Sequence, residues 1–308
     1  MQSETLKSDA LLLLTAVIWG FAFVAQRLGM DYVGPFTFNG VRFLLGSLVL
    51  IPFVLRGGVA RRAPSNEAGL RKTLSGGCIA GIALFAGASL QQVGLVYTTA
   101  GKAGFITGLY VVIVPILGLF IRQQTNAGTW LGAMLAAVGL YLLSVTEHFT
   151  IAFGDLLEFF GAFFWAGHVL IIGWLSPRMN PIRLALVQFA TCGVLSLIVA
   201  AAFEEITFPG LRQATVPILY GGALSVGIAY TLQVVAQQKA HPAHAAILLS
   251  LEAVFAAVGG WLILEETLGA RGLLGCGLML TGMLLSQLWT IVTLPSVKRA
   301  TTLKQSAS

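Results

Sequence analysis

DALLLLTAVIWG (residues 9–20) and DLLEFFGAFFWA (residues 155–166) carry the same pattern 146 positions apart. Asp9 aligns with Asp155, Leu11 with Leu157, Ala16 with Ala162 and Trp19 with Trp165. The same offset pairs Pro35 with Pro181, Val41 with Val187 and Phe43 with Phe189. An offset of 143 then pairs Gly132 with Gly275, Gly139 with Gly282 and Leu142 with Leu285. One match between apolar stretches carries little weight, whereas an ordered series over three segments indicates an internal duplication, residues 1–145 and 146–308.

What is duplicated is apolar. Of the 308 residues, 57% are hydrophobic and 10% charged, where a soluble domain would carry about 25% charge; the mean hydropathy is +0.87. Stretches of the roughly twenty residues that a membrane-crossing helix needs fall near 10–29, 35–55, 73–97, 102–121, 128–145, 155–175, 182–203, 215–238, 245–264 and 272–292. The expected fold is an all-α integral membrane protein of ten transmembrane helices, arranged as two inverted five-helix repeats. The inversion follows from the odd number: five spans end on the side opposite to where they began, so the second set enters the bilayer upside down. Repeats of this kind build secondary transporters, with the binding site near the midplane between the halves.

The pI near 9.5 does not imply a nucleic-acid partner, because the basic residues sit at the membrane edges. With the N-terminus inside, the cytoplasmic segments hold Lys7, Arg56, Arg61, Arg62, Arg71, Lys72, Arg122, Arg178, Arg183, Lys239, Lys298, Arg299 and Lys304, whereas the outer loops hold Arg212 and Arg271. The positive-inside rule then puts both termini in the cytoplasm of a multi-pass protein whose partners are the lipid bilayer and a small-molecule substrate. Cys78, Cys192 and Cys276 lie inside spans without metal or disulfide spacing, so no metal and no cofactor is expected.

AVIWGFAFV (16–24), FNGVRFLLGSLVL (38–50), GFITGLYVVIVPILGLF (104–120) and LLSLEAVFAAVGGWLILEETL (248–268) together resemble a ten-helix member of the drug/metabolite transporter superfamily, of the EamA type. The family's ninth span usually reads Leu-Glu-Pro, and here Ala253 stands in the proline's place. The resemblance implies export or exchange of small metabolites, often amino acids or their derivatives, across the inner (plasma) membrane.

Polar side chains inside the spans are the candidate site, since an ionisable group at the bilayer centre costs roughly 2.5–3.5 kcal/mol on insertion scales. Glu158, Trp165 and His168 share a broad helix face. Glu158 is either a coupling or amine-binding carboxylate, or a group solvated at the outer interface beside Asp155; His168 is either a ligand contact or a neutral ring bonded to a carbonyl. Glu252, some eight residues into its span, needs a proton, a donor or a cation. Protonation of Glu158 or Glu252 is the candidate coupling event. Arg42, with Asn39 one turn earlier, either ties helices together or meets an anionic group. Its repeat-related position is Gln188.

Lys102 either binds a carboxylate or phosphate beside a helix start or is wetted at the membrane edge. Tyr230, Gln233 and Gln237 share a face by their spacing, with Gln91 and Gln92 near the corresponding turn of the third span. Trp19, Tyr110, Trp165 and Tyr230 are candidate flat walls. Arg27 and Asp31 read as an i,i+4 pair, Glu265 and Glu266 as helix-end capping or interface charge, and Pro115 as a hinge or a source of a free carbonyl in the fourth span.

The rival class is a membrane-embedded hydrolase or lipid-modifying enzyme. It would need a nucleophile with its base, or clustered metal ligands, and His148, His168, His241 and His244 offer no such arrangement. No G-x-x-x-x-G-K-[ST] loop marks a pump, and no ring of acidic residues marks a channel.

Overall fold

The computed structural model describes residues 2–55, 67–120, 127–144, 151–240, 242–282, 284, 285 and 289. Arg56, Arg61, Arg62, Arg122, His148, His241, Lys298, Arg299 and Lys304 lie outside them. The described chain is helical: α1 (Gln2–Gly29), α2 (Pro35–Leu55), α3 (Glu67–Tyr97), α4 (Ala100–Thr107), α5 (Tyr110–Phe120), α6 (Ala127–Ser144), α7 (Phe153–Leu175) and α8 (Pro181–Phe203) come first. Then follow two short helices, α9 (Phe208–Gln213) and α10 (Thr215–Leu219), a π-wound stretch (Tyr220–Tyr230), α11 (Thr231–Ala236), α12 (Pro242–Ser250) and α13 (Glu252–Leu264).

Among the described residues eight helical segments are long and apolar enough to cross a bilayer, and Trp130–Leu143 is a shorter apolar one. The expected tenth span is helical over 270–282, and its remainder falls largely outside the described residues. Many large apolar side chains face outward, among them Phe53, Phe120, Phe164, Trp174 and Trp261, as lipid-facing helices require. The molecule is an all-α membrane protein.

Spans related by the sequence offsets pack on each other: α2 lies against α8, and the fourth span against the ninth in a crossed manner, α4 on α13 and α5 on α12. Two carboxylates show that these partners run antiparallel. Glu204, just past the C-terminus of α8, accepts hydrogen bonds from the first amides of α2, Phe36 N (2.8 Å) and Thr37 N (2.7 Å), and from the Thr37 hydroxyl. Glu266, just past α13, accepts from Ala100 N (2.8 Å) and Gly101 N (3.0 Å) at the start of α4. Helix N-termini leave amides without intrahelical partners, so each carboxylate closes the end of a helix in the other half of the chain. Glu266 thus caps as its sequence suggests, but it caps a helix some 160 residues away rather than its own.

Two spans that the sequence draws as continuous α helix are each interrupted by a short right-handed turn. The fourth stops at Thr107, turns through Gly108 and Leu109, and resumes at Tyr110, one turn before Pro115. The ninth stops at Ser250 and resumes at Glu252, with Leu251 at φ −62°, ψ −14°. Ala253 in the proline's place suggests no kink there, yet the helix breaks without one. Gly108 and Leu251 stand 143 positions apart, the offset of the repeat itself.

A third irregularity lies in the eighth span, where YGGALSVGIAY (220–230) winds as a π helix. That winding spaces carbonyls differently from an α helix, and α1 uses two of them: the Thr15 hydroxyl donates to Ala229 O (3.2 Å) and Trp19 Nε1 to Ser225 O (3.4 Å). Gly20 lets α1 lie directly on α13, since a Cβ there would fall 2.2 Å from Phe255 Cβ.

Candidate functional site

The three irregular segments meet at one place. Thr107 and Tyr110 flank the first break, Glu252 opens the helix after the second, and Ser225 and Tyr230 belong to the π stretch; all five line a central chamber. Trp19, Phe23 and Gln26 of α1, Arg42 of α2, Gln91 of α3, and Trp165 and His168 of α7 complete its wall with Gln233 of α11. Both halves of the chain therefore contribute, and the repeat-related pair Trp19 and Trp165 face it together.

Tyr230 is the hub of the aromatic wall. Its ring centroid lies 4.3 Å from that of Trp19, 6.2 Å from Trp165 and 6.4 Å from His168. Arg42 and Glu252 line the chamber with it. The Arg42 guanidinium is 2% exposed; it rests 4.8 Å from the Phe43 ring centre, and its Nε donates to Asn39 Oδ1 (2.9 Å). Asn39 in turn donates to Ala88 O (2.9 Å). It holds the arginine in place and does not itself line the chamber.

Several polar groups are committed to one another. His168 Nε2 is 2.9 Å from Gln188 Oε1, which makes the position matching Arg42 in the second half a partner for the chamber histidine. An amide oxygen only accepts, so Nε2 carries the proton. Gln91 Nε2 donates to Gln26 Oε1 (3.0 Å). The Tyr110 hydroxyl is paired with the Glu252 carboxyl. Other groups are uncommitted. Among the described residues, Arg42 Nη2, Trp165 Nε1 and Gln233 Oε1 are buried chamber-lining atoms without a protein hydrogen-bond partner. Buried polar atoms are normally satisfied, and three of them converging on one space mark it as a place for a polar guest or water.

The chamber contains about 430 Å³ of space outside the atoms, of which about 30 Å³ admits the centre of a water-sized sphere. Roughly 10–15 Å³ by that second measure holds one water. The walls are therefore drawn in around a volume of a few waters.

Of the residues expected at the site, Trp19, Arg42, Gln91, Tyr110, Trp165, His168, Tyr230, Gln233 and Glu252 come together here. Lys102 does not. Its Nζ is 2.6 Å from Asp155 Oδ2, and Asp155 also accepts from the Thr98 hydroxyl (2.6 Å), so the lysine closes a buried ion pair between α4 and α7. Glu158 is fully buried rather than solvated at an interface. It stands behind the wall, accepting from the Thr107 hydroxyl (3.1 Å), in a space left by Gly94, where a Cβ would fall 2.9 Å from Glu158 Oε1. Gln237 turns from Gln233 to donate to Val169 O (3.2 Å). Arg27 and Asp31 form the exposed pair their spacing implies, at 3.1 Å.

Gln26, Thr107 and Ser225 are the polar chamber residues that sequence reasoning passes over. Gln26 precedes Arg27 near a helix end, where polar residues are ordinary. Thr107 and Ser225 are small enough to read as packing.

Residues 6–145 and again 152–288 match the EamA-like transporter family. An uncharacterized transporter of Archaeoglobus fulgidus is 34% identical over 286 residues, covering 92% of this chain and 87% of that protein. The uncharacterized transporter YoaV of Bacillus subtilis is 21% identical, covering 88% and 93%. A WAT1-related chloroplastic protein of Arabidopsis thaliana is 25% identical, covering 87% of this chain and 66% of its own length. One crystal structure superposes with a TM-score of 0.69 at 18% identity, covering 92% of this chain and 97% of that one, and shares the fold.

Proposed function

Because the chain belongs to the EamA-like transporter family and is a membrane transporter, we propose that it is a secondary carrier of small amphipathic metabolites, with amino acids or related compounds as the leading cargo. In this reading the two halves, 1–145 and 146–308, rock against each other, and the central chamber opens to one side of the membrane at a time. One observation carries it: a chamber at the crossing of two broken helices, walled by both halves, that sets one guanidinium and one carboxylate among three large aromatic rings. Secondary transporters built from inverted repeats place their sites near the midplane, between the halves, at interrupted helices.

The roles follow from the chemistry of the wall. Arg42, held by Asn39 and keeping Nη2 uncommitted, takes a cargo carboxylate. Glu252 takes a cargo amine or a proton, and competition between them at one carboxylate couples cargo movement to the proton gradient. Trp19, Trp165 and Tyr230 sandwich the apolar part. Glu158 communicates with the chamber through Thr107 and is the second coupling candidate. The basic loops support an orientation with both termini in the cytoplasm of the inner membrane. A membrane hydrolase gains nothing from these relatives, which are named transporters.

The test is transport by the purified protein in sealed liposomes, using a panel of labelled amino acids and other small metabolites. Saturable counterflow of at least one zwitterion, absent from protein-free vesicles and weakened by Arg42→Gln but not by Arg27→Gln, is the expected result. Counterflow indifferent to Arg42, or confined to cargo with no anionic group, overturns the assignment.

A further inference from the structure

A second and roomier cavity lies away from the chamber, where the start of α3, the end of α7 and the start of α8 meet. It offers about 500 Å³ to the centres of water-sized spheres, and none of its lining residues lines the chamber. Three of them are cations: Lys72 on α3, Arg178 in the 3₁₀ turn after α7, and Arg183 on α8. Among the described residues no carboxylate lines it.

The neutral polar groups of the crevice are already engaged. The Thr73 hydroxyl donates to Gly69 O, the Ser75 hydroxyl to Lys72 O, and Asn180 Oδ1 accepts from Ile182 N and Arg183 N. What remains for a guest is positive charge. Three cations drawn together without a counter-charge in the wall repel one another, and a multivalent or phosphate-bearing anion relieves that cost.

The mouth of the crevice says which kind of anion. Two of its lining residues, Ile79, 58% exposed, and Trp174, 61% exposed, belong to the apolar outer surface. Arg178 lies over the Trp174 ring, 5.0 Å from its centre, and donates to Trp174 O. A tryptophan near a helix end with an arginine stacked on it is the arrangement of the membrane–water boundary. The cavity thus joins three cations to a surface suited to hydrocarbon.

We infer that this crevice seats the headgroup of an anionic phospholipid, with Lys72, Arg178 and Arg183 around the phosphate and an acyl chain running along Ile79 and Trp174. Basic pockets between membrane helices take such headgroups. The lipid then braces the junction of α3, α7 and α8, and α7 is the helix that carries Trp165 and His168 into the chamber.

Native mass spectrometry of the full chain, released from detergent with phosphatidylglycerol or with phosphatidylcholine of the same acyl chains, tests this. Phosphatidylglycerol is expected to be retained preferentially. Lys72→Gln and Arg183→Gln should each weaken that retention about fivefold, Arg183→Lys should largely keep it, and Arg212→Gln, in α9 and away from the crevice, should leave it unchanged. Equal retention of the two lipids, or retention indifferent to the Lys72→Gln/Arg183→Gln pair, overturns the assignment. So does displacement of the lipid by glycerol phosphate at equal concentration, which would make the crevice a site for soluble anions. Because Lys72 is exposed and Arg183 only half-buried, removing their charge leaves the helix packing in place.

Discussion

Glu252 and Arg42 are the two charges of the chamber, and they separate by what their removal does. Glu252→Gln keeps the shape and a hydrogen-bonding amide but cannot exchange a proton. It should abolish uphill accumulation driven by a pH gradient while leaving exchange of cargo across the membrane measurable. Accumulation that survives both Glu252→Gln and Glu158→Gln rules out carboxylate coupling. Arg42→Gln removes a charge-assisted contact worth about 1.5–3 kcal/mol, so half-saturation for counterflow should rise about 10- to 100-fold. Lys102 belongs to stability instead. Lys102→Ala strands the buried Asp155 carboxylate, a loss on the order of 3 kcal/mol, and should lower the melting temperature in detergent. The Lys102→Ala/Asp155→Asn pair should recover part of it, because the unpaired charge is gone. The lysine's partner was not legible in the sequence: its neighbours TTAGKAGF describe a helix start, whereas Asp155 reaches it only through tertiary packing.

At the scale of elements, what a local pattern encodes was readable and what a distant contact imposes was not. The broken fourth span has Gly108 at the turn and Pro115 about two turns later, both visible signs. The broken ninth span has neither proline nor glycine near Leu251; packing of α12 on α5 and of α13 on α4 imposes there the break that its counterpart encodes. The Glu204 and Glu266 caps are likewise contacts between halves. Each is a carboxylate on helix-end amides, and replacing either by alanine should cost about 1 kcal/mol. The double variant should loosen the rim they share and raise the reactivity of a cysteine placed at Gln91 toward a maleimide added from that side. Unchanged reactivity would mean that the caps hold the helices without holding the rim.

At the scale of the whole molecule the all-α membrane class was the most legible, because apolar composition runs along the entire chain; the residues aligned by one offset, Trp19 and Trp165, both reach Tyr230, and the other offset relates the two helix breaks. Inversion makes a prediction at this scale. Asp31 and Pro177 are repeat-related and exposed. In a background freed of Cys78, Cys192 and Cys276, cysteines at these two positions should react with an impermeant maleimide from opposite sides of intact cells and of inside-out vesicles. Labelling from the same side would dismantle the two-half architecture and the chamber with it.

The π winding of residues 220–230 has a consequence that no side-chain replacement can reach. Part of what fixes the Trp19 indole is a peptide oxygen, that of Ser225, and an alanine scan leaves every such oxygen where it was. A π turn amounts to one supernumerary residue threaded into a helix. Excising a single amino acid from this stretch would let the segment relax into ordinary α geometry and swivel everything beyond it by about 100°, carrying the Tyr230 phenol out from between the two indoles. Chain length here, and not only chain chemistry, decides whether cargo has somewhere to sit.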